Sequence, residues 1–181
     1  MSFGGSKSRI PDSAKTECEF LESILPVKSF VHLTTRHRMT SDHLKSVFRL
    51  WIHGIQKHHR VTVGWVRSIE HFPKWHIHAA LIAPVAIDSN YAAALWQTLA
   101  APGYSDAAIV EQYRKGRCGM GYVLKQLNCP ASMIQYSENI TAFADGARNS
   151  RFPTTPAQAR QQRRIREQFQ RVQSLLQKPI S

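Results

Sequence analysis

The sequence predicts an α+β fold: a central, mainly antiparallel sheet of about four to five strands, flanked by helices. Three observations carry this expectation. Short alternating stretches rich in β-branched residues recur at 29–35 (SFVHLTT), 61–70 (VTVGWVRSIE) and 75–83 (WHIHAALIA). Only HFPK (71–74) separates the second from the third, and a proline-bearing turn of that length fits a hairpin. The segments between and after them carry apolar residues at helical spacing.

In chain order, residues 1–27 are polar and contain Pro11 and Pro26, so they read as a lead-in with one short helix near 17–25. After the first strand, Thr40 or Ser41 can cap a helix whose apolar side is Leu44, Val47, Phe48, Trp51 and Ile55. The hairpin follows. Asp88 or Ser89 can start a second helix with Ala92, Leu95, Trp96 and Leu99 inward, ended by PGYSD at 102–106. Residues 107–113 (AAIVEQY) suit a further strand. The basic turn 114–119 then leads into a short helix over 120–127. Periodicity fades after Pro130, so 131–153 reads as a loop-rich extension. From Pro156 a last helix is expected, with Ile165, Phe169, Val172 and Leu176 along one side and arginines over much of the rest.

The totals narrow the function. Lys plus Arg number 24 against 12 acidic residues, a net +12 over 181 residues, which favours a polyanionic partner, nucleic acid foremost. Cys18, Cys118 and Cys129 have no CxxC spacing, which argues against a disulfide framework or a cysteine zinc site. The N-terminus lacks the apolar core of a signal peptide, and no apolar run reaches the roughly 18 residues of a membrane span. A reducing, cytoplasmic setting is the expectation.

Chemistry concentrates in two places. On a strand, residues two apart share a face, so His76 and His78 project side by side while Ile77, Ala79 and Leu81 point the other way. Two imidazoles so placed can ligate one divalent cation, and Glu70, at the end of the preceding strand, can complete the set. Such a set leaves coordination positions open for a substrate, as a catalytic metal requires. His37, His43, His53, His58, His59 and His71 converge on nothing and read as surface or phosphate-contacting residues. In the short helix, Met120, Val123, Leu124 and Leu127 fall on one arc, with Tyr122 and Lys125 opposite, three residues apart. Core packing does not explain a tyrosine off the apolar stripe. A neighbouring ammonium favours the phenolate that attack on phosphorus needs, or stabilises charge on the phosphate.

Taken in order, SFVHLTT, then E-HFPK-W-HIHAAL, then GYVLKQL resemble the three motifs of the HUH endonucleases that initiate rolling-circle replication. The resemblance spans about residues 29–127. It implies a ferredoxin-like palm in which His76, His78 and Glu70 hold Mg²⁺ or Mn²⁺, Tyr122 is the nucleophile and Lys125 its helper. Positions 118 and 126 hold Cys118 and Gln126, so the chain resembles the single-tyrosine members found on plasmids and phages. Residues 1–28 and 128–181 lie outside the resemblance, and the expected organisation is a lead-in over 1–28, a nicking domain with its loop-rich extension over 29–153, and a basic helix over 154–181. The implied partner is single-stranded DNA at an origin or hairpin. No Walker A pattern is present. A host helicase and polymerase are the further partners that the resemblance implies, in a bacterial, plasmid- or phage-associated setting. Lys74, Arg114, Lys115 and Arg117 are the expected phosphate contacts. Trp65, Trp75 and Tyr113 are candidate base-stacking platforms or core residues. A single-strand transposase or a relaxase of the same superfamily would share the chemistry. A non-catalytic basic nucleic-acid-binding module is the alternative of a different class.

Overall fold

Successive side chains of a strand point to opposite faces, and apolar residues at both parities, as in Ala79, Ala80, Leu81 and Ile82, give the sheet two apolar faces that must both be covered. A computed structural model describes residues 12–37, 39–71, 75–103, 107–116, 119–125 and 134–146. Its elements are α1 (Asp12–Ile24), β1 (Val27–Thr34), α2 (Ser41–His59), β2 (Gly64–Glu70) and β3 (His76–Ile82). They continue with α3 (Ser89–Ala100), β4 (Ala108–Gln112), α4 (Gly119–Leu124), β5 (Gln135–Tyr136) and α5 (Ile140–Gly146). The strands form one five-stranded antiparallel sheet in the order β4-β1-β3-β2-β5. The fold is the expected α+β arrangement.

On one face, Val31, Leu33, Ile69, Ile77, Ala79 and Leu81 pack against α2 and α3. All five residues expected on the inner side of α2 are buried, and Thr40 caps the helix by accepting from the His43 amide at 3.2 Å. Arg60 ends α2 in the left-handed region at φ 55°. The Gln56 side chain then accepts from the Val63 amide at 3.0 Å, so pairing starts at Gly64 rather than Val61. Asp88 caps α3, as expected for one of its two candidates. The indole of Trp51 donates to the Ala92 carbonyl and that of Trp96 to the Thr34 carbonyl, each at 2.7 Å. These two bonds tie α3 to α2 and to the end of β1.

On the other face, Val66, Ala80 and Ile82 pack against α1, α4 and α5 through Leu21, Ile24, Met120, Val123, Leu124 and Ile140. The first helix begins earlier than expected, at Asp12, where Lys15 pairs with the Asp12 carboxylate. Within the stretch expected to be loop-rich, β5 and α5 are ordered elements. A two-residue strand has no periodicity to read, and β5 exists because Tyr136 and Gln135 pair with Val66 and Arg67 on the edge of β2. The expected helix beyond 154 lies outside the described residues. Among the described residues, no helix is long and apolar enough to cross a membrane.

Candidate metal centre

The register of the three central strands lines up polar side chains on the face shared with α4. His32 of β1 stands opposite His78 of β3, which stands opposite Ser68 of β2. One row further, Thr34 faces His76, which faces Glu70. The ring centroids of His32 and His78 are 4.5 Å apart, those of His76 and His78 4.9 Å, and those of His32 and His76 5.4 Å. One nitrogen from each ring lies within 4.8 Å of the others, so the three histidines can hold a metal ion.

Glu70 sits beside this triad. Its carboxylate oxygens lie 3.5 Å from His76 Nε2 and 3.7 Å from His78 Nε2. Lys125 Nζ is 3.0 Å from Glu70 Oε2. Burial by itself would raise the Glu70 carboxyl. The hydrogen bonds from His76 and Lys125, with the charges of His78 and Lys125, outweigh it and hold the group down to about 2. Burial pushes His78 down to about 3, and the neighbouring His32 adds to that shift while Glu70 opposes it. His32 is lowered for the same first reason, burial, with His76 adding to it. The two imidazoles are therefore neutral near pH 7, the form in which a ring nitrogen can ligate.

The donor set fits a divalent cation on a further observation. His78 Nδ1 and Glu70 Oε1 are buried and have no hydrogen-bond partner among the described residues. Two buried lone pairs left unmatched are costly, and a cation shared between nitrogen and oxygen ligands removes that cost.

Above the histidines lies the short helix α4. Met120, Val123 and Leu124 are buried beneath it, whereas Tyr122 is 42% exposed. The Tyr122 ring approaches His78 edge-on at 4.8 Å between centroids, and Lys125 Nζ lies 4.1 Å from the Tyr122 ring centroid. Phe30, stacked parallel to His78 at 6.1 Å, closes the same corner against the edge of Tyr122. The start of α4 is fixed by Tyr113, whose hydroxyl donates to Glu22 on α1 and accepts from the Met120 amide. Gly119 is required there, since a Cβ would lie 2.9 Å from the Tyr113 ring.

The structure thus brings His76, His78, Glu70, Tyr122 and Lys125 together. Sequence reasoning missed His32. Its parity on β1 puts it on the same face as Phe30, but only the pairing with β3 shows that this face meets His78. Arg114 and Lys115 are exposed in the turn after β4, while Lys74 and Arg117 lie outside the described residues. Of the candidate stacking residues, Tyr113 anchors α4, and Trp65 and Trp75 pack partly buried against the α2–α3 core. Comparison of the chain with protein-family models, with curated proteins and with solved structures found no match in any of the three.

Proposed function

We propose that the protein nicks and rejoins single-stranded DNA through a covalent link to Tyr122, with Mg²⁺ or Mn²⁺ held by histidines and Glu70. The carrying observation is the half-exposed Tyr122 ring set between His78 and Lys125 at the edge of the three-histidine cluster. The three sequence motifs and the net charge of +12 support the same reading. When bound, the cation supplies Lewis-acid polarisation of the scissile phosphate.

The chain's own residues supply the rest. Tyr122 Oη forms a bond to phosphorus as the bond from phosphorus to the 3′ oxygen breaks. The phenolic proton passes through solvent to the departing 3′ oxygen, leaving a 3′ hydroxyl and a 5′-phosphotyrosine. Lys125, held over the ring by Glu70, offsets charge on the non-bridging oxygens. The phosphodiester is exchanged rather than hydrolysed, so a free hydroxyl can reverse the step and rejoin the strand.

The test is a covalent adduct resistant to denaturing electrophoresis, formed with random single-stranded oligonucleotides and Mn²⁺. Native protein forms it, and Tyr122→Phe, which removes one hydroxyl from a 42% exposed residue, forms none while keeping its melting temperature. An adduct that survives in Tyr122→Phe shows that another residue is the nucleophile. No adduct with native protein leaves the non-catalytic binding module as the better reading.

A further inference from the structure

On the opposite face of the sheet from the histidines, Arg67 is 1% exposed. Its guanidinium carbon lies 4.5 Å from the Trp65 ring centroid and 4.6 Å from that of Phe48. Nε and Nη2 both donate to Gln135 Oε1, at 3.1 and 2.6 Å, whereas Nη1 has no partner among the described residues. No carboxylate forms an ion pair with it among the described residues. Burial, and then the charge of Arg49, pushes its pKa down to about 10. A desolvated guanidinium beside a second arginine is a costly arrangement unless an anion shares the space.

That space exists. Arg49 and Arg67 line a cavity of about 780 Å³ between α2, β2 and β5, within the roughly 300–1,000 Å³ of small-molecule sites. Ile52, Val63 and Trp65 give it an apolar wall, and Glu138 stands exposed among its lining residues. The buried Asn139 Oδ1, also without a partner among the described residues, adds an unmatched acceptor to the unmatched donor of Arg67. A ligand matching this lining carries an oxyanion, a hydrogen-bond donor and a flat apolar surface.

We propose that this cavity binds a phosphorylated nucleoside, its oxyanion meeting Arg49 and Arg67 and its base lying along the Ile52–Trp65 wall. An acyl-chain ligand would need a continuous apolar groove, and a sugar phosphate would gain nothing from the wall. The nucleotide is either free or part of a bound strand, since both present the same chemistry. The site does not depend on the nicking chemistry, because α2 covers this face of the sheet and α4 the other.

The experiment follows the Trp65 indole and Gln135 side-chain amide signals of the full-length chain by NMR. The probes are inorganic phosphate, the four deoxynucleoside 5′-monophosphates and a short single-stranded oligonucleotide. At least one nucleotide or the oligonucleotide shifts both signals saturably, at least about tenfold more tightly than inorganic phosphate. Arg49→Gln, on the exposed side of α2, and Arg67→Met each weaken binding by about tenfold or more. A His76→Ala/His78→Ala variant binds as the native chain does. Response to the oligonucleotide alone identifies a strand-borne nucleotide as the ligand. The proposal is overturned if no probe shifts the two signals, if inorganic phosphate binds as tightly as any nucleotide, or if Arg49→Gln binds like native protein.

Discussion

His32 on β1 and His78 on β3 are directly paired across the sheet, with ring centroids 4.5 Å apart. This pairing turns a two-histidine motif into a three-histidine cluster, and it places Glu70 at the flank of the cluster, bonded to Lys125. The first expectation concerns which of the two groups ligates. Loss of an outer partner of a metal ligand typically costs roughly 10–100-fold in affinity. Calorimetric titration with Mn²⁺ is expected to show a loss of more than about 100-fold for His32→Ala, as for His76→Ala and His78→Ala. A smaller loss in His32→Ala, with a larger one in Glu70→Gln, makes Glu70 the ligand and His32 its neighbour. Chelation abolishes the adduct while leaving phosphate-driven, salt-sensitive DNA binding in place.

Lys125 contacts both the Tyr122 ring and Glu70 but is not among the metal donors. Lys125→Met is therefore expected to slow adduct formation by about 10²–10³-fold, the effect of losing one preorganised charge-stabilising donor. Mn²⁺ affinity changes much less. Single-turnover rates measured beside calorimetry separate the two, and a parallel fall in both assigns Lys125 to holding the metal site together.

Glu17 on α1 is 7% exposed, and burial raises its carboxyl above the ordinary 4.5. The unfolded chain therefore releases this proton at lower pH than the folded one. The resulting penalty is absent below the unfolded value and grows as pH rises through the folded value. Glu17→Gln is expected to raise the melting temperature at neutral pH, by about 2–4 °C for each kcal/mol relieved, and to leave it unchanged below about pH 4. Equal melting curves at neutral pH refute the assignment.

Trp96 donates from a fully buried indole to the Thr34 carbonyl, at the end of the strand that carries His32. Trp96→Phe leaves that carbonyl unmatched and is expected to cost about 1–3 kcal/mol in urea denaturation. Because Thr34 is the cross-strand neighbour of His76, weaker Mn²⁺ binding accompanies the loss.

Much of this molecule was legible in its sequence because the signals are local. Residues two apart on a strand share a face whatever surrounds them, which placed His76 and His78 together. Residues at helical spacing share an arc, which set Tyr122 and Lys125 off the apolar stripe of Met120, Val123 and Leu124. Turn and capping chemistry located the hairpin and the starts of α2 and α3.

Register is different, because it depends on how distant segments pack, and a shift of one residue sends every side chain to the other face. Only the folded sheet brings His32 opposite His78, seats Gln135 against Arg67 as an added edge strand, and leaves Arg67 buried beside Arg49 with no carboxylate paired to it among the described residues. The sequence by itself determined which side chains travel together on each element. The tertiary structure decided which elements meet, and so how many histidines share the centre that Tyr122 overlooks.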